Sequence, residues 1–175
     1  MTVPRSVPAV HVLVPCAGSG SRAGAAGPKQ YALLAGQPLV RHTLAAFSGL
    51  PWAGRRLVVV APGDDGRHLA GTGFDVAAVG GDSRAASVLA GLRWLQGPGG
   101  ADDDDWVLVH DAARCLVTRA EIERLVKAGF EDAVGALLAL PLPDTLKRAV
   151  DGRAVQTIDR ADKWLAQTPQ MARLG

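Results

Sequence analysis

Between Pro15 and Tyr31 the sequence gathers residue types that suit an anion. Gly18, Gly20, Gly24 and Gly27 alternate with Ser19 and Ser21, and two cations, Arg22 and Lys29, follow with no acid from Gly18 to Tyr31. Glycine lets the main chain approach a phosphate and turn N–H groups toward it. Two unneutralised cations beside such a turn suit a triphosphate, although an ordinary βα loop with solvated charges would share the glycine content. Two familiar nucleotide loops do not fit: GxxxxGK[ST] is absent, and the spacing here is GxGxxxG with no acid before Asp64.

A second candidate group is His110-Asp111-Ala112-Ala113-Arg114, which follows the apolar run 106–109. Magnesium is commonly held by one or two carboxylates together with substrate phosphates and water, so a single Asp at a strand end is sufficient. Capping of the next turn is the other reading of Asp111. His110 reads as a packing residue.

Ligands of open α/β sheets lie outside the carboxyl ends of the strands, and the elements are arranged to put both groups there. Short apolar runs alternate with helical stretches, as in an α/β fold with a mainly parallel sheet. Strands are expected over residues 9–14, 56–61, 106–109 and, more weakly, 74–79, with a buried strand over 133–140. Helices are expected over 37–50, over 84–95 with Ser83 or Asp82 as cap, and from Thr118 to about Gly129, where Thr118 and Glu121 form a capping box. Residues 97–105 form a Gly, Pro and Asp loop. Past Pro143, runs 145–150 and 153–158 flank Asp151-Gly152, a strong two-residue hairpin signal. The hairpin is rich in Lys, Arg and Thr; it is either a solvated excursion or an arm that reaches a partner subunit.

The 175 residues suit a single domain able to bury a proper core. Four of the 17 acids form one run, Asp102 to Asp105, so the remaining 13 face 19 basic residues and the rest of the surface leans basic. That lean suits an anionic small molecule. Nucleic acid gains little support, because only Tyr31 lies within the basic loop. Cys16 and Cys115 form no CxxC pair and read as reduced thiols of a cytoplasmic protein. No signal-peptide pattern begins the chain, and no apolar run approaches the roughly 20 residues that span a bilayer.

Taken with their order, the motifs are more specific. Gly18-Ser19-Gly20-Ser21-Arg22 with Pro28-Lys29-Gln30-Tyr31 resembles the signature loop of the 2-C-methyl-D-erythritol 4-phosphate cytidylyltransferase family. The resemblance continues through Gly80-Gly81-Asp82-Ser83-Arg84 with Ser87-Val88, through Val109-His110-Asp111-Ala112-Ala113-Arg114, and through Asp144-Thr145-Leu146-Lys147 and Gln167-Thr168-Pro169-Gln170. These blocks span nearly the whole sequence.

The resemblance implies a three-layer Rossmann-like nucleotidyltransferase fold, glycosyltransferase-A-like, with a protruding β-hairpin arm at about residues 144–160. It implies transfer of the cytidylyl group of CTP to the polyol phosphate in non-mevalonate isoprenoid synthesis. Arg22 and Lys29 would be the catalytic cations. Ala17, Gly18, Ser19, Gly20, Gly81, Asp82, Ser87 and Ala112 would hold the nucleotide, and Asp111 would bind Mg2+. Asp111 and Arg114, with Thr145, Lys147 and Arg160 of the arm, would contact substrate, the arm being exchanged in a homodimer. Cys115 stands where the family usually has Pro, and Cys16 where it commonly has Ala. The family pattern continues past its TPQ block, whereas this sequence ends at Gly175, which is expected to mark either a truncated product or a shortened relative with an incomplete acceptor site. A sister enzyme acting on ribitol 5-phosphate, or a relative that holds CTP without turnover, would share the nucleotide loop.

Overall fold

The computed structural model describes residues 8–18 and 27–175. Strand β1 (Val10–Pro15) is the middle of the construction, and its alternation explains the layers. Val10, Val12 and Val14 pack in one core with Val40, Leu44, Ile122 and Leu125, while Leu13 packs in another with Leu57, Val59 and Leu95. Helices α1 (Leu39–Ala46) and α3 (Arg119–Phe130) therefore cover one face of the sheet and α2 (Arg84–Gln96) the other. With both faces covered, β1 reads as an apolar run broken by the single buried His11 instead of alternating regularly with polar residues. Each fully buried Val or Leu of these cores contributes on the order of 1.5–3 kcal/mol relative to exposure.

Strands β4 (Ala53–Val59), β5 (Asp75–Ala77), β6 (Trp106–Val109), β7 (Gly135–Pro141) and β10 (Trp164–Arg173) complete the sheet. Its order among the described residues is β5-β4-β1-β6-β10-β7. The pairs β4–β5, β1–β4 and β1–β6 are parallel, and β10 runs antiparallel to both β6 and β7. The expected three-layer, mainly parallel architecture is the one observed.

Several boundaries differ from expectation for physical reasons. The helix expected over 37–50 is confined to Leu39–Ala46, because Gln37–Pro38 (β3) pairs with Leu33–Leu34 (β2) in a small hairpin. Pro38, which has no N–H for a helix interior, stands at the N-cap with φ −53°. The strand expected to be buried over 133–140 is β7, which is the edge of the sheet and leaves Leu137 and Leu140 about half exposed. Strand β10 has no counterpart in the sequence reading. Pro169 and the polar residues around it obscure the strand pattern, and the pairing with β7 shifts register between Ala166 and Gln170 to accommodate them.

Both expected caps form. Ser83 accepts from the Ala86 amide (3.0 Å), so it and not Asp82 caps α2, and Thr118 with Glu121 completes the capping box of α3. The hairpin is present as β8 (Leu146–Val150) and β9 (Arg153–Ile158). Asp151 (φ 48°) and Gly152 (φ 76°) both occupy the left-handed region, as a turn matched to the twist of two strands requires. Lys147 Nζ donates across the pair to Thr157 Oγ1 at 2.6 Å. Because β7 and β10 are antiparallel neighbours, the hairpin is an elongated connection between them and forms a separate two-stranded sheet.

Candidate active site

A cleft of about 820 Å³ opens over the carboxyl ends of the strands, within the range of ligand sites. Its walls are successive strand exits: Pro15 to Gly18 after β1, Ala61 and Pro62 after β4, Gly80 to Arg84 leading into α2, and Asp111 to Ala113 after β6. The turn Lys29–Tyr31 closes the rim. The structure thus brings together Ala17, Gly18, Lys29, Gly81, Asp82, Ser87, Asp111 and Ala112 of the expected residues. Arg22, Ser19 and Gly20 lie outside the described residues. Thr145, Lys147 and Arg160 are exposed on or beside the hairpin and are not among the cleft's lining residues.

The floor is built by close packing. A Cβ on Gly80 would fall 2.2 Å from the Ala17 Cβ and 2.7 Å from the Val60 carbonyl oxygen, so only glycine fits where the two loops cross. Its amide donates to Val60 O at 2.8 Å, as Cys16 N donates to Val59 O at 2.7 Å. Ser87, 3% exposed, supports the next residue from below: its Oγ accepts from Gly81 N (3.2 Å) and lies within donating distance of the Gly81 and Ser83 carbonyls. Ala112 is held in the same way, its carbonyl accepting from Thr43 Oγ1 of α1 at 2.8 Å.

Asp111 is the charged centre of the cleft. Its Oδ1 accepts from Arg84 Nε at 2.6 Å and its Oδ2 from Arg114 Nε at 3.1 Å, with the carboxylate 28% exposed. Arg114 in turn donates through a terminal guanidinium nitrogen to Gln167 Oε1 of β10. His110 lies beneath this turn, fully buried, and its Nε2 donates to the Arg114 carbonyl at 2.9 Å. Burial holds the His110 imidazole below its ordinary pKa, so the ring is neutral and closes the turn. The packing role expected for His110 is the one observed.

Each Asp111 oxygen accepts one of these guanidinium hydrogen bonds and has further acceptor capacity, and the residue lines the cleft. One carboxylate supplemented by phosphate and water oxygens meets what magnesium requires, so the residue fits that ion. No group of three or more His, Cys, Asp or Glu gathers to hold a metal among the described residues, so the other ligands would have to be phosphates and water.

Behind the rim, Tyr31 Oη donates to Asp64 Oδ2 at 2.6 Å and its ring stacks on His68 with centroids 4.6 Å apart. Cys16 is buried beside it; burial pushes the thiol up to about 12, with the Tyr31 contact opposing and the Asp64 charge adding to the shift, so it stays protonated at neutral pH. The sequence reading gave no individual role to Arg84, Thr43, Gln30 or Gln167. Arg84, Gln30 and Gln167 lie inside blocks it singled out; Thr43 carries no signal beyond a hydroxyl on the inward face of a helix.

The chain matches the family model described as IspD: 2-C-methyl-D-erythritol 4-phosphate cytidylyltransferase over residues 10–174. It is 60% identical to the bifunctional enzyme IspD/IspF of Albidiferax ferrireducens over 99% of this chain and 42% of that one. It is 52% identical to the 2-C-methyl-D-erythritol 4-phosphate cytidylyltransferase of Paraburkholderia phytofirmans, over 95% of this chain and 72% of the relative. Thus the chain spans less than half of the bifunctional relative's length. Among solved structures, a 4-diphosphocytidyl-2C-methyl-D-erythritol synthase superposes with TM-score 0.84 at 35% identity, covering 98% of this chain and 77% of that one. The Francisella tularensis cytidylyltransferase does so with TM-score 0.78 at 32% identity, over 95% and 73%.

The Rossmann-like α/β fold with its cleft over the strand ends is the one shared with these cytidylyltransferases, which are nucleotidyltransferases. Within that class, the chain belongs to the 2-C-methyl-D-erythritol 4-phosphate cytidylyltransferase family.

Proposed function

We propose that this chain transfers the cytidylyl group of CTP to 2-C-methyl-D-erythritol 4-phosphate, releasing pyrophosphate, as a step of non-mevalonate isoprenoid synthesis. The observation that carries the reading is the meeting of Lys29, Asp82, Asp111 and the glycine-rich main chain in one cleft at the strand ends. The acceptor phosphate is already anionic, so its oxygen attacks the α-phosphorus of CTP without a protein base. The bond from that phosphorus to the bridging oxygen breaks, and pyrophosphate leaves with the electron pair. The chain's work is to position the two phosphates and to place positive charge where negative charge develops.

Lys29 supplies such a charge at the rim, and Arg22 is assigned the same role from the motif. The main chain from Ala17 to Gly18 and around Gly81 faces the nucleotide, with Asp82 at the ribose or base. A magnesium ion bound to Asp111 and the CTP phosphates would neutralise their charge. Arg114 stands beside Asp111 on the acceptor side. Thr145, Lys147 and Arg160 are exposed and do not line their own chain's cleft, so to contact substrate they would act from the arm of one protomer in the cleft of another, with a homodimer as the working form. CTP as substrate and two free thiols, Cys16 and Cys115, favour the cytoplasm, and no helix among the described residues is long and apolar enough to cross a membrane.

Pyrophosphate release from CTP and magnesium, with methylerythritol phosphate and ribitol 5-phosphate as rival acceptors, tests the assignment. Release with the former, together with a cytidine diphosphate-linked product, is expected. Preference for ribitol 5-phosphate would overturn the acceptor, and no release with either, from folded protein, would overturn the activity.

A further inference from the structure

Gln30 lies in the turn next to Lys29, yet its side chain runs back to the main chain of Cys16 and Gly18 and is 7% exposed. Its Nε2 donates to Cys16 O and to Gly18 O, both at 2.9 Å, so both amide hydrogens are used on the main chain of the loop's entry. In a planar trans peptide the C=O and the next N–H point in opposite directions. Drawing the Cys16 carbonyl toward Gln30 therefore turns the Ala17 N–H away from Gln30 and fixes the plane of that peptide at the cleft wall. The exit turn is anchored separately: Tyr31 N donates to Pro28 O at 3.0 Å and Tyr31 Oη to Asp64. One buried amide thus joins the entry of the loop to the residue that follows the rim cation.

We propose that Gln30 is a positioning residue that presets the nucleotide-binding main chain at Ala17 and Gly18 relative to Lys29. The inference rests on the reading of this cleft as the CTP site. Preset donors need no reorganisation when the anion arrives, which is where such a clamp acts. Because Tyr31 and Asp64 hold the exit turn without it, loss of the amide should loosen the entry and leave the fold in place.

Gln30→Glu and Gln30→Met, both close in size, separate these roles. CTP Kd by calorimetry is expected to rise about tenfold or more at pH 8 in both variants, because a loosened entry has to be ordered as the nucleotide binds. The KM for the acceptor should stay near wild type, while the thermal midpoint falls by several degrees because two buried carbonyls lose their donor. A protonated carboxyl regains one donor, so CTP affinity of Gln30→Glu should recover as pH is lowered toward 5, while Gln30→Met stays flat. The Ala17 amide resonance, read by NMR without nucleotide, should move in both variants. CTP Kd within twofold of wild type in both, or an acceptor KM that rises as much as the CTP Kd, would overturn the proposal. A wild-type chain that did not bind CTP would overturn the functional reading instead, and an unmoved Ala17 amide would then still refute the clamp.

Discussion

Asp111 holds two guanidinium groups on one partly exposed carboxylate, and that is an arrangement made to be exchanged. Exposed ion pairs of this kind contribute about 0–1 kcal/mol, so ligand contacts can replace Arg84 at small cost. Arg84 is the first residue of α2, whose first turn contains no acid, and a cation at that helix end opposes the helix dipole. An arriving phosphate relieves that opposition. The contrast is Asp105, 2% exposed at the other end of the sheet. Its oxygens accept from Ala9 N (2.7 Å), Asp102 N (3.0 Å) and His11 Nε2 (3.0 Å), and His11 Nδ1 accepts from Arg55 N, which fixes the proton on Nε2. Burial alone would push the Asp105 carboxyl up, but these donors hold it below its ordinary value. A carboxyl lowered by folding contributes stability that is present above the unfolded value, near 3.8, and is lost as pH falls through the folded one. Asp105→Asn should therefore cost about 1–3 kcal/mol at pH 7 and flatten the acid limb of a stability-against-pH curve below about pH 4. A variant as stable as wild type at pH 7, with an unchanged acid limb, would show that the clasp contributes nothing.

At the scale of elements, what was legible depended on whether local chemistry or a distant partner decides the structure. The capping box at Thr118, the Asp151-Gly152 turn and the apolar run of β1 are decided within a few residues, and all three appear where the sequence places them. Strand β10 is decided by β6 and β7, more than twenty residues away along the chain, and Pro169 conceals it. The same division holds in the site. Motif order indicated Lys29, Asp82 and Asp111, whereas the Arg84–Asp111 pair and the Thr43–Ala112 bond are long-range and carry no local pattern. The hairpin of β8 and β9 belongs to this scale too. Val150 and Val155 are half exposed on it, and Trp164 and Leu165 at its return are also open. If its partner is a second copy, the 18.1 kDa chain should sediment at twice that mass at micromolar concentration. Replacing residues 144–160 by a tight turn between β7 and β10, which are already paired, should give a folded monomer. A wild-type monomer would refute the exchanged arm.

Across the whole molecule the two ends of the sheet are differently built. At the amino ends of β1 and β6 a buried, fully engaged carboxylate fastens strands together; at the carboxyl ends, glycine, small residues and exposed charges leave room for a ligand. The cleft side gathers the motif residues from the first loop, the Gly80 block and the Asp111 block, and the neighbours match this fold. In this cleft Lys29 is expected to serve the transfer as a charge that matters most when negative charge develops. The most direct test is to measure pyrophosphate release and CTP affinity side by side in wild type and Lys29→Ala. A preorganised contact of this type is worth about 3–4 kcal/mol of barrier, so turnover should fall by roughly 10²–10³ while CTP Kd rises less than tenfold. A Lys29→Ala variant that turns over at the wild-type rate would contradict it.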